Sequence, residues 1–293
     1  MSANMDTENV SGQGRMPRRA LVYAAISIIA IVWVLPTLGM LINSFRTPQD
    51  IRTSGWWTVI GEMLDPSTWT LQNYQTVLEE GFGNAFLNTV AVTVPAVVIP
   101  LTIAAFAAYA FAWMDFPGRN ILFLVVVGLM VVPLQMALIP ILRAYTALDL
   151  TGSFPAIWLA HTGFGLPLAT YLLRNYMGSL PSEVMESARV DGANHWLIFT
   201  RIILPLSVPV LASFAIFQFL WVWNDFLVAL VFLGIDPDKR VLNVELADLA
   251  GRGEGALSLL PAAAFVTMLL PLAVFFGLQR YFVRGLTAGS VKG

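Results

Sequence analysis

Two ionisable side chains stand deep within the long apolar runs of this sequence, away from their ends: His161 and Asp225. Asp225 belongs to W-V-W-N-D-F, with Asn224, Trp221 and Trp223. Indole faces stack on the apolar faces of a sugar ring, while an amide and a carboxylate take its hydroxyls. The cluster therefore fits a polyol site, and equally an interfacial polar cluster. His161 lies in L-A-H-T-G-F-G-L-P, where Gly163, Gly165 and Pro167 loosen a helix. Irregular backbone at membrane depth is tolerated only beside protein or water. The histidine thus faces a cavity, or bonds a neighbouring carbonyl in packed protein. Gln135, between Pro133 and Pro140, is a further candidate for a lumen position. The sequence shows no metal-ligand cluster, nucleophile elbow or pair of catalytic carboxylates, and it has no cysteine.

The elements that position these residues follow from hydropathy. Of 293 residues, 57% are hydrophobic and 12% charged, about half the charge of a soluble domain. Apolar runs over 20–42, 85–113, 121–142, 155–176, 202–233 and 258–278 predict six membrane helices. The fold class is an all-α membrane protein. A basic tail, 1–19, precedes the 20–281 membrane domain, and a second tail, 282–293, follows it. A polar excursion, Arg46–Glu80, carries Trp56, Trp57 and Trp69, which suit either the membrane interface or a small packed lid. Counted along an unbroken fifth helix from Pro205, Asp225 lies roughly 30 Å away, toward the outer boundary. Six spans put both termini on one side. The tails, the 113–120 turn and the 174–201 loop hold ten basic residues; the opposite segments hold six. The positive-inside rule makes the termini cytoplasmic.

The loop between the fourth and fifth spans, about 178–201, is more than a turn. Pro181 and Ser182 start a helix with Glu183 and Glu186 near its positive end. Gly192 stops it in a left-handed conformation. Asn194 caps a second short helix with Trp196 and Phe199 on an apolar side. Two short helices meeting at a bend predict a knob on the membrane surface, shaped for a groove in another protein.

An energy source is missing. A phosphate-cradling loop needs Gly-Lys-Ser/Thr, but the two lysines, Lys239 and Lys292, follow Asp238 and Val291. The chain is expected to be no enzyme; if ATP drives a process here, a partner binds it. An ion-coupled secondary transporter would need more intramembrane charge.

The stretch E-S-A-R-V-D-G-A-N-H-W-L-I-F-T-R-I-I-L-P resembles the cytoplasmic loop of ABC-importer permeases, E-A-A-x3-G-x9-I-x-L-P. Glu186, Ala188, Gly192, Ile202, Leu204 and Pro205 match, and Ser187 replaces the middle alanine. W-N-D-F, the M-D-F-P-G-R turn and the ending Q-R-Y-F-V-R-G-L-T-A-G-S-V-K-G look like the carbohydrate branch, in particular the second six-span subunit of maltose-type importers. S-G-W-W, 54–57, is reminiscent of α-glucoside importers. The resemblance implies the type I permease fold in a bacterial inner membrane and a second permease subunit. It also implies a homodimeric ATPase that binds ATP and magnesium, an extracytoplasmic solute-binding protein and a sugar substrate. In this reading Glu186, Ser187, Ala188, Asp191, Gly192 and Ala193 contact the ATPase, and Ile202, Leu204 and Pro205 join the loop to the next span. Thr287, Gly289 and Lys292 would reach into the ATPase dimer. A permease for a non-sugar solute is the nearest alternative; no nucleic-acid partner is expected.

Overall fold

The computed structural model describes residues 15–61 and 63–288, with side chains over 19–61 and 63–279. The chain is helical almost throughout. Helix α1, Arg15–Ser44, is followed by the short α2, Pro48–Thr53, and α3, Gln72–Val77. A turn over Leu78–Phe82, kinked at Gly81 (φ 111°), leads into α4, Gly83–Trp113. After the Asp115–Gly118 turn come α5, Arg119–Gly128, and α6, Leu134–Ala147. Next are α7, Phe154–Gly178, α8, Ser182–Val190, α9, His195–Ile198, and α10, Leu204–Leu206. The last four are α11, Val208–Trp223, α12, Leu227–Leu233, α13, Leu242–Gly251, and α14, Leu260–Ala288. Among the described residues the one extended pairing is the isolated bridge of Arg46 with Trp69.

Four of the expected spans appear as long apolar helices, and two do not run straight. The third, expected over 121–142, bends by 104° between Val131 and Leu134. Pro133 causes this, because a residue before proline is pushed out of the helical region; Val132 has φ −71° and ψ 117°. The fifth, expected as one helix over 202–233, is broken twice. It bends by 70° at Ser207, and it stops at Trp223 before restarting at Leu227. The terminal helices pass the expected boundaries, α1 beginning at Arg15 and α14 continuing to Ala288. Gly289, Lys292 and most of the 1–19 tail lie outside the described residues, as does the side chain of Thr287.

The bundle is built around α4, which packs along α7 and against α11. Small residues line this seam: Ala96, Ala104, Ala105, Ala108, Ala160 and Ala169 are buried. They let helix backbones approach closely, which is how apolar helices gain contact where lipid removes the hydrophobic drive. Two prolines interrupt α4, each freeing the carbonyl four residues before it. Pro95 frees Ala91, whose oxygen accepts from the Trp158 indole at 3.0 Å. Pro100 frees Ala96, whose oxygen accepts from the Gln218 amide at 3.2 Å. Neighbouring helices thus fill both gaps and fix α4 in register with α7 and α11.

The 45–77 excursion forms a packed lid over the end of α1. Arg46 is buried, and its guanidinium donates to Asn43 Oδ1 and to the carbonyls of Asp50 and Ser54. Asn73 donates to the carbonyls of Ser44 and Arg46. Trp56 sits against Gly39 of α1, where a side chain would collide with the indole, while Trp57 remains exposed. The lid expectation holds for Trp56; Trp57 lies on its outer surface.

Candidate functional site

The predicted knob is present. Helix α8 ends at Val190 with Asp191 as its C-cap, and Gly192 adopts φ +82°. The Gly192 N–H donates to the Arg189 carbonyl at 3.0 Å and the Ala193 N–H to the Ala188 carbonyl at 2.9 Å. This pair of bonds is the Schellman arrangement, satisfying carbonyls that a helix end leaves free. Asn194 then caps α9, its Oδ1 accepting from the Leu197 N–H at 2.9 Å. The two helices are therefore held at their bend by three local hydrogen bonds.

One side of the knob is sunk into the bundle. Met185, Ile198, Phe199 and Ile203 are buried in a cluster with Ala104, Ala108 and Tyr109 of α4, Leu173 and Met177 of α7, and Phe214 of α11. Each such side chain contributes about 2 kcal/mol when fully buried. The opposite side is open: Glu186, Ser187, Arg189, Asp191 and Gly192 are exposed, and Val190 is 87% exposed. Ala188 and Ala193 are half-buried at the bend. An apolar tip ringed by charge, on a rigid base, is suited to a protein groove rather than to water.

The junction differs from expectation. Ile202, Leu204 and Pro205 belong to the knob's own unit, which continues from His195 to Leu206, and the turn into the span is the bend at Ser207. Pro205 and Pro209 flank that bend.

The second candidate cluster lies at the break in the fifth span. Asp225 does not sit on an unbroken helix. Its Oδ1 accepts from the Val228 N–H at 3.2 Å and its Oδ2 from the Ala229 N–H at 2.8 Å, so it caps α12. Asn243 of α13 holds the break from the other side, donating to the carbonyls of Trp223 and Asp225. His161 is fully buried, with Nε2 3.7 Å from Asp225 Oδ2 and its ring edge-on to Trp221. That distance is too long for a hydrogen bond. Neither ring nitrogen has another partner in the structure, so the expected bond to a neighbouring carbonyl is absent. Asn224 is exposed and donates to the Leu220 carbonyl. Trp223 is buried between Phe86 and Phe219, its indole donating to Thr267, and cannot stack on a solute.

Of these residues, Trp221 lines a cavity. A groove of about 510 Å³ runs between α6 and α7, walled by Leu134, Ile141, Tyr145, Gly163, Phe164 and Trp221. An adjoining recess of about 250 Å³ adds Gly165, Phe217 and Gln218. Gln135 is exposed at the start of α6, outside both. Gln218, missed as a site residue from sequence, is fully buried. Its signal was Pro100, which leaves an acceptor that some donor must reach. Arg46 was likewise missed; a charged residue at the end of an apolar run reads as solvated until its neighbours are known.

A family model described as "Binding-protein-dependent transport system inner membrane component" matches residues 100–288. The chain is 54% identical to the osmoprotective compounds uptake permease protein GgtD of Synechocystis sp., across 98% of this chain and 96% of that protein. It is 44% identical to the alpha-glucoside transport system permease protein AglG of Rhizobium meliloti, across 95% and 98%. In fold it is similar to a chain from a bacterial ABC transporter involved in the import of the acidic polysaccharide alginate. That match has a TM-score of 0.77 at 21% identity and covers 94% of this chain and 100% of the other.

Proposed function

The chain belongs to the family of binding-protein-dependent transport system inner membrane components, and from that premise we propose how it works and what it carries. It is a permease subunit of an ABC importer, a multi-pass inner-membrane protein that leaves ATP hydrolysis to another subunit. Its cargo is a hydroxyl-rich solute of the α-glucoside class. It shares the pathway with a second permease, receives solute from an extracytoplasmic binding protein and is driven by a homodimeric ATPase that binds ATP and magnesium.

The observation that carries this reading is the knob. Its inner face is buried against α4, α7 and α11, and its outer face presents Val190 amid Glu186, Arg189 and Asp191. Closure of an ATPase dimer moves the groove that holds the outer face, and the buried face passes that displacement to the spans. Glu186, Ser187 and Asp191 supply polar contacts on the docking side, Gly192 sets the bend, and Ala188 and Ala193 keep it narrow. Ile202, Leu204 and Pro205 stiffen the knob up to the bend at Ser207. Thr287, Gly289 and Lys292 are assigned to a secondary contact with the ATPase dimer.

Along the pathway, Trp221 offers a ring face to the groove. Asp225 stands behind it, capping the helix that restarts after the break, with His161 buried beside it; in this reading neither touches solute. Asn224 is exposed beside the break, while Gln135 lies on the far side of the third-span bend.

Affinity purification of this subunit from mildly solubilised membranes tests the reading. Recovery of an ATPase, a second permease and a solute-binding protein is expected; recovery of the chain alone refutes it. A second reading, an osmoprotective cargo, is favoured by the 54% identical relative. Uptake of labelled maltose, trehalose and glycine betaine by the purified assembly separates the two.

A further inference from the structure

Two chain connections link the knob to the spans, and both are poor levers. It follows α7 through the Ser179–Pro181 turn, and it leads into α11 across the 70° bend at Ser207. A straighter route runs through α4, which is not adjacent to the knob in sequence. Tyr109 of α4 is buried, and its hydroxyl shares a 2.8 Å hydrogen bond with Nδ1 of His195, the first residue of α9. Around that bond Phe199 packs on both Phe106 and Tyr109, and Trp196 stacks over Phe106. One turn further along α4, the Trp113 carbonyl accepts from the Arg189 guanidinium of α8 at 3.4 Å. Apolar contacts between helices can slide; these directional bonds fix where each half of the knob sits along α4.

The other end of the same helix is held as firmly. Asn88 donates to the carbonyls of Asp238 and Arg240, and Thr89 accepts from the Leu242 N–H. Asp238 and Arg240 lie in the connection from α12 to α13 and Leu242 opens α13, on the opposite side of the bundle. Tyr109 and Asn88 are 21 positions apart, roughly 30 Å along a helix, the thickness of a bilayer core. Pro95 and Pro100 lie between them and would weaken a lone helix. Here Trp158 and Gln218 fill both freed carbonyls.

We propose that α4 is the rod that carries displacement of the knob to the 238–242 connection across the membrane, with the Tyr109–His195 hydrogen bond as its input. Tyr109 and His195 are positioning residues: they act by holding the knob and α4 in one register. The inference rests on the docking reading of the knob.

The test uses the complete assembly with its native partners in proteoliposomes, with maltose and trehalose as probes. Tyr109→Phe keeps the ring and removes the hydroxyl. Solute moved per ATP hydrolysed should fall roughly fivefold, the scale of one lost net hydrogen bond, while the ATPase still co-purifies. His195→Gln retains a group that can bond the hydroxyl and should restore most of the ratio. His195→Ala should match Tyr109→Phe, and the double variant should be no worse than either single, as for one shared interaction. A wild-type ratio in Tyr109→Phe overturns the proposal. So does loss of the ATPase from that variant, which would make Tyr109 part of docking instead. Val190→Asp, on the exposed face, tests the underlying reading separately: if it still binds the ATPase, the docking surface is misplaced whatever Tyr109 does.

Discussion

Gly192 is the position where a single side chain should disable the knob while leaving the membrane domain intact. Its φ of +82° is the left-handed region, where a Cβ costs about 1–2 kcal/mol and a β-branched residue more. Apart from Gly192 itself and its two chain neighbours, no atom lies within 4 Å of the place a Cβ would take, so tertiary packing adds nothing and the whole cost is backbone strain. The chain can escape by turning φ negative, but it then loses the two bonds from Gly192 and Ala193 to Arg189 and Ala188. Those are worth about 1 kcal/mol each. By either route Gly192→Val disfavours the native bend by about 2 kcal/mol, roughly a 30-fold depletion of the geometry that fits a groove. Asparagine tolerates the left-handed region, so the expected order of uptake is Gly, then Asn, then Ala, with Val lowest by at least about tenfold. Uptake and solute-dependent ATP hydrolysis in proteoliposomes, beside an immunoblot for membrane insertion, measure this. Uptake by the Val variant at the wild-type rate would refute the argument, as would an Asn variant no better than Val.

Gln218→Leu leaves the Ala96 carbonyl without its donor and should destabilise the bundle by about 1–3 kcal/mol. Adding Pro100→Ala, which restores a backbone N–H four residues on, should recover most of that in thermal denaturation of the detergent-solubilised protein. Asp225→Ala removes the cap of α12 at a cost of about 1 kcal/mol, and faster amide exchange at Val228 and Ala229 is the expected sign. Arg46→Met breaks the hub of the lid; protease cleavage between residues 47 and 72 should accelerate while the rest of the chain stays protected.

Legibility from sequence followed the type of signal. The knob was readable because its determinants are local: Gly192 for the left-handed turn, Asn194 for the next cap and Phe199 for the buried side, although Trp196, expected on that side as well, is exposed and Met185, which is buried there, was not singled out. The long helices were readable from hydropathy, and the family from motif spacing at Glu186, Gly192 and Pro205. The break at Asn224–Phe226 was not, since hydropathy runs on through it and Asp225 reads as an isolated charge until its bonds to Val228 and Ala229 are seen. The bend at Val132 had a local cause in Pro133, but proline inside an apolar run signals a kink, a break or nothing, depending on what receives the freed carbonyls. For Pro95 and Pro100 the receivers, Trp158 and Gln218, lie 67 and 122 positions from the carbonyls they satisfy. Sequence pattern does not reach that far. Tyr109 and His195 are 86 apart, and their pairing was invisible for the same reason.

Helix α1 packs on α14 and on the Trp56 segment, and is otherwise largely bare. Helix α1 is therefore synthesised well before α14, the helix it mainly packs on. At roughly 5–20 residues per second, the interval between Ser44 and Gln279 leaving the ribosome is roughly 10–50 s. Throughout that time α1 has lipid, an insertion factor or another subunit for company, but no finished fold to join. A chain that stops before α14 lacks the helix against which α1 makes most of its contacts.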